Sequence, residues 1–199
     1  MVFLANRIAF FLSRNGIIEE EAEPVYAYGA EIALSTIAVL FAVLLIGGIS
    51  GQIVNLTIFM LSYKILRECA GGYHAGTHLR CFIYSIVICI MNVLLYIVLP
   101  MHTQGILTIS LLVLSSIVLV ISAPSQNLVN PKTKKELVAN KKKMIVWIVT
   151  LSAITTVLQI IRIGENAGFP IACAFATVMI LSVVNSLQYH VLKRRQSNG

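Results

Sequence analysis

Aspartate is absent from this sequence, so all eight of its acidic residues are glutamates. Any chemistry that needs a carboxylate must find it among these few, and only Glu31 and Glu68 lie near the reactive residues singled out below. Charge of either sign is scarce: 12% of residues are charged, against about 25% in soluble globular domains. With 58% hydrophobic residues and a mean hydropathy of +0.88, a chain of 199 residues cannot hide its apolar surface from water. A water-soluble globular protein is thereby excluded. Four cysteines without paired spacing supply no disulfide framework. No internal repeat or separate soluble domain is visible, and residues 1–199 read as a single integral membrane domain.

What is present is hydrocarbon in long runs. Residues 32–63, 81–131, 144–161 and 166–192 contain no Asp, Glu, Lys or Arg. A spanning helix needs about 20 apolar residues. The first two runs are therefore too long for one crossing and must fold back, at "IGGISG" (46–51) and "LPMHTQG" (99–105), where Gly and Pro interrupt the helical pattern. The sequence predicts about six transmembrane helices, near 30–46, 49–66, 80–99, 106–123, 144–163 and 169–191. Lipid offers the backbone no partners and the runs lack barrel-type alternation, so the predicted fold is all-α, a polytopic membrane helical bundle.

The basic residues predict its orientation. An even number of spans puts both termini on one side, together with every Lys and Arg except Arg162. By the positive-inside rule that side is cytoplasmic. It holds the termini, the segment 64–80 and a lysine-rich loop at 124–143, and the expected location is the cell membrane. The net charge of +7 follows from topology and supplies no reason to invoke nucleic acid. The sequence predicts no cleavable signal peptide, because Arg7 and Arg14 break its first apolar stretch. Residues 1–28 instead read as an amphipathic cytoplasmic-side segment, with Val2, Ile8, Phe11 and Leu12 on one stripe, Leu4 nearby and both arginines on another face. The acidic cluster Glu19, Glu20, Glu21 and Glu23 reads as a solvated loop.

Against this background the stretch "RECAGGYHAGTHLRC" (67–81) concentrates two cysteines, two histidines, two arginines, a glutamate and three glycines. Three readings are compatible with it. In the first, Cys81 is a thiolate nucleophile activated by a histidine base, since imidazole or nearby positive charge favours the thiolate. His78, three residues before Cys81, meets it on any straight helix. His74, seven residues before, lies roughly 10 Å away along a straight helix and meets Cys81 only if the chain bends, which Gly71, Gly72 and Gly76 permit. A helix starting near Leu79 would put Cys81 in its first turn, where the helix dipole favours negative charge. In the second reading, a small transporter or metal-handling protein uses Cys69, His74, His78 and Cys81 as ligands, although the tight C-x-x-C pairing is missing and mid-span charges of an ion pathway are absent. In the third, the segment is a juxtamembrane loop without chemistry. Cys89 and Cys173 fall within spans and read as small core residues.

The string Arg67, Gly72, His74, Cys81, spaced R-x4-G-x-H-x6-C after an apolar helix, resembles the AgrB family, membrane cysteine endopeptidases of Gram-positive quorum sensing. The Ala-Pro-started lysine-rich stretch "APSQNLVNPKTKKELVANKKK" (123–143) resembles that family's loop, and the number of spans fits most of the chain. The resemblance implies Cys81 as nucleophile and His74 as general base. It implies cleavage of the C-terminal tail from an amphipathic AgrD-like propeptide through a thioester on Cys81, followed by ring closure to a thiolactone or lactone. It gives His78 no role. The thioester keeps the acyl group activated, so no cofactor or metal is required. Arg67 and Gly72 match family positions; Gly72 would supply backbone geometry or an N–H towards an oxyanion, and Arg67 would anchor a substrate carboxylate or support the fold. Lys132, Lys134, Lys135, Lys141, Lys142 and Lys143 would dock an acidic propeptide tail or contact anionic membrane lipids. A homodimer is a family expectation.

Overall fold

The computed structural model describes residues 2–70, 78–124, 133–161 and 167–197. Seven α-helices account for nearly all of them: α1 (Val2–Arg14), α2 (Glu23–Ile49), α3 (Ile53–Ala70), α4 (His78–Val98), α5 (Met101–Ser122), α6 (Lys134–Ile161) and α7 (Gly168–Ser197), with a short 3₁₀ turn at Glu20–Ala22. The chain is an all-α membrane bundle. The folding-back points lie where the sequence predicts them, at residues 50–52 and 99–100.

Each break has a local cause. In the α2–α3 turn Gly51 adopts φ +68°, a conformation that favours glycine, and the Gln52 N–H donates to the Gly47 carbonyl at 2.9 Å, closing the end of α2. Gly47 also lets α3 start close by, since a Cβ there would stand 2.9 Å from the Ile53 Cα. In the α4–α5 turn Pro100 cannot continue α4. The Gln104 side chain, almost wholly buried, donates from Nε2 to the carbonyls of Tyr96 and Leu99, both at 2.8 Å, and so satisfies the last turn of α4.

Among the described residues five helices, those containing α2, α4, α5, α6 and α7, are long and apolar enough to cross a membrane, beside the about six spans expected from the sequence. The exception is α3, whose last seven residues include Lys64, Arg67 and Glu68. Lys64 and Glu68 stand on its exposed side, and Arg67 is half-buried. The helix packs against α7, α6 and α2, and Leu56, Phe59, Tyr63, Leu66, Cys69 and Ala70 on it are buried. Half of the α7 span is buried too, against 11% of the α2 span. The core thus lies along α3 and α7, where Phe59, Phe169 and Phe175 are fully covered, and α2 sits at the rim.

Two buried threonines are satisfied within their own helix, whereas the buried hydroxyls of Ser115 and Ser182 have no partner among the described residues. Thr108 Oγ1 donates to Gln104 O and Thr155 Oγ1 to Leu151 O, both at 2.7 Å. Helix α1 forms over the segment expected to be amphipathic. It packs on α2 through the small residues Ala5 and Ala9, and Val2, Phe3, Leu4, Ile8, Phe10 and Phe11 are exposed. Small residues allow close helix approach without a hydrophobic drive between helices, so the bulky stripe is left outward. One difference concerns the lysine-rich stretch. From Lys134 onward it is helix rather than loop. Thr133 and Glu136 form a reciprocal cap: the Glu136 carboxylate accepts from the Thr133 N–H at 2.8 Å, and Thr133 Oγ1 accepts from the Glu136 N–H at 3.3 Å.

Candidate functional site

The reactive residues are set by the ends of α3 and α4. Helix α4 begins at His78, which puts Cys81 in its first turn. Negative charge is favoured at that end of a helix. Ser85 Oγ donates to the Cys81 carbonyl at 2.9 Å. None of the four cysteines is in a disulfide; Cys69, Cys89 and Cys173 are buried, and Cys81 is partly exposed. A thiol that must meet a polypeptide needs access of that kind.

The sulfur atoms of Cys89 and Met60 approach to 3.7 Å and fix the register of α4 against α3. Counting seven residues along α3 from Met60 reaches Arg67, and counting eight back along α4 from Cys89 reaches Cys81. Each step covers about 10–12 Å at 1.5 Å per residue. Arg67 and Cys81 therefore stand at the same end of the helix pair and at nearly the same level.

Arg67 is not free in that position. Its Nη1 donates to the Tyr63 hydroxyl one turn earlier, and its guanidinium lies 5.5 Å from the Tyr63 ring centroid. Tyr63 in turn stacks on Phe59, with centroids 5.9 Å apart and planes 11° from parallel. Phe59 is fully buried and Tyr63 only 7% exposed. Tyr63 escapes a reading of the sequence, where a tyrosine in an apolar helix looks like packing. Its signal is the i, i+4 spacing to Arg67, which brings the two side chains onto one face.

His74 and Gly72 lie outside the described residues, as does Lys132. The metal reading turns on His74 and on the His78 side chain, also outside them. Of the carboxylates near the segment, Glu68 is exposed and Glu31, on α2, is half-buried. Lys134, Lys135, Lys141, Lys142 and Lys143 are all exposed on the first turns of α6. Lys141 borders an open cleft of about 230 Å³ whose apolar wall is formed by Ile121, Ala123, Pro124, Leu137 and Val138.

Comparison with known families agrees with these features. A family model described as Accessory gene regulator B matches residues 5–190, nearly the whole chain. No curated protein and no solved structure matches it.

Proposed function

The chain belongs to the Accessory gene regulator B (AgrB) family, which acts in autoinducer processing for agr quorum sensing, and on that premise we propose that it is a membrane cysteine endopeptidase and cyclase. The substrate is an AgrD-like propeptide. Cys81 attacks the carbonyl at the tail junction, and the C–N bond breaks. The thiol proton passes by way of His74 to the departing amine, and the peptide remains on Cys81 as a thioester. A Cys or Ser side chain within the peptide then displaces Cys81, closing a thiolactone or lactone ring. The active site and both termini face the cytoplasm, where the basic residues gather. The observation that carries this reading is the partial exposure of Cys81, alone among the cysteines, in the first turn of α4.

A trapped intermediate tests it. Purified protein mixed with an AgrD-like propeptide and quenched in acid is expected to carry the truncated peptide on the fragment containing Cys81, by intact and peptide mass spectrometry. Neutral hydroxylamine is expected to release it, as it does a thioester. Tail release with no peptide ever attached to Cys81 rules out the covalent route.

The lysines at the start of α6 receive the acidic tail in this reading. Changing Lys134, Lys135 and Lys141 together to Gln, which avoids reversing the charge that orients the spans, is expected to raise KM about tenfold with kcat held. The effect should shrink as ionic strength rises, because exposed charges are screened. Equal loss of kcat and no salt dependence would remove the docking role.

A further inference from the structure

We infer that the cleft between the end of α5 and the start of α6 is the seat for the acidic tail of the propeptide: one apolar side chain of the tail fills it while a neighbouring carboxylate pairs with Lys141. The inference rests on the reading that the α6 lysines receive the tail. It adds to that charge contact a pocket that selects by shape.

The cleft lies at the end of the bundle where Cys81 stands. Helix α4 starts there at His78 and runs to the Pro100 turn, and α5 returns from that turn to finish at Ser122. Helix α6 packs against α5, and the two wall the cleft together. Lys134, Leu137, Val138 and Lys141 are spaced i, i+3, i+4, i+7, so these positions share one face of α6, an apolar pair between two cations. Leu137 and Val138 line the cleft with Ile121 and Pro124, and Lys141 borders it. The nearest carboxylate of this helix, Glu136, is engaged in the cap with Thr133.

Size selects the occupant. The cleft holds about 230 Å³. Pockets for whole small molecules run to about 300–1,000 Å³, whereas an apolar cavity of about 150 Å³ already takes a benzene ring. The space suits one large apolar side chain. Depth separates peptide from lipid. The charge-free run of α6 begins at Met144. Leu137 precedes it by seven residues, about 10 Å along the helix, and the headgroup layer is about 5–7 Å thick on each side of a bilayer. The α6 wall therefore lies beyond the acyl chains, yet Val138 is 59% exposed. Apolar surface on the water side of the membrane, flanked by lysines, is complementary to an acidic peptide with an apolar side chain. Charge alone leaves the tail unregistered, because exposed lysines pair weakly with any carboxylate. A filled cleft fixes which tail residue stands at Lys141.

The test reads tail binding apart from chemistry. A fluorescein-labelled synthetic tail of an AgrD-like propeptide is titrated by anisotropy against the full-length protein carrying Cys81→Ala in nanodiscs. Adding Val138→Asn is expected to weaken binding about five- to tenfold, the effect of half-burying one apolar side chain. That loss should persist at high salt, whereas the loss from Lys141→Gln should shrink. Asn substitutions along the tail should find one apolar residue whose loss weakens binding to the parent cleft and adds nothing to Val138→Asn. Unchanged binding with Val138→Asn overturns the inference, and so does full additivity at every apolar tail residue. Photo-crosslinking from p-benzoylphenylalanine at position 138, in nanodiscs containing phosphatidylglycerol and with the tail present, identifies the occupant. An adduct with the tail is expected; adducts only with lipid or with a second copy of the chain overturn the inference. The two levels separate cleanly. If the lysine-to-Gln triple variant weakens binding and Val138→Asn does not, only the cleft assignment falls. If the tail does not bind the parent at all, lysine docking falls with it. Release of the tail from a complete propeptide by the Cys81→Ala protein would sink the covalent route and leave the cleft standing.

Discussion

Cys81→Ala and His74→Ala each abolish tail release from a co-expressed AgrD-like propeptide, by about 10³-fold or more. The expectation follows from the division of labour. Without the sulfur no thioester forms, and the later ring closure has no activated acyl group to draw on. Without the imidazole the thiol proton has no path to the departing amine, so attack and departure both slow. Two members of one catalytic unit should also fail to add: the double variant loses no more than either single one. His78→Ala supplies the contrast. Positions 78 and 81 both lie on α4, three residues apart, so the two positions share a face. If His78→Ala is inactive and His74→Ala is not, helical adjacency outranks the family pattern and the base is reassigned. Cys81→Ser is a weaker test, because a hydroxyl at the same place can sustain slow attack. The readout is the ratio of full-length to truncated propeptide on a gel, with membrane levels of each variant measured alongside.

Hydropathy made the helix positions legible before the structure, because lipid leaves an apolar run little choice but to become helix. The two turns were legible from Gly51 and Pro100, where the helix is interrupted. Lateral arrangement was not legible. A single sequence says that α3 is less apolar than its neighbours, but not that α2, α6 and α7 pack against it. The amphipathic reading of α1 found a helix, but not that Ala5 and Ala9 make its contact with α2 while the bulky stripe stays outward. The lysine-rich stretch carried its own helix signal in Thr133 and Glu136, three residues apart, which charge density obscured. At the candidate site, Cys81 and Arg67 were legible from type and spacing. Tyr63 was not, since nothing in a one-dimensional string says that its oxygen meets a guanidinium.

The turn that delivers α3 supplies the second large effect, on stability. Gly47→Ala is expected to destabilise the protein and Gly48→Ala to leave it unchanged or slightly more stable. The two glycines are neighbours in one helix, so each substitution gains the same helix propensity, up to about 1 kcal/mol. Their surroundings differ. A Cβ at position 48 meets nothing within 4 Å, whereas one at position 47 meets the Ile53 Cα at 2.9 Å and the Ile53 Cβ at 3.3 Å. The obstacle is backbone at the first residue of α3, which cannot rotate aside as a flexible side chain would. Overpacking of this kind costs about 1–3 kcal/mol, enough to outweigh the propensity gain. Thermal unfolding in one detergent, following helix content or exposure of the buried thiols, is the measurement, with Gly47→Ala melting several degrees below Gly48→Ala. Because α3 carries Arg67 to the end of α4 where Cys81 stands, a shifted α3 should also slow tail release in Gly47→Ala below its unfolding temperature. Equal melting temperatures for the two variants would mean that α3 does not start against Gly47, and the register that brings Arg67 level with Cys81 would lose its support.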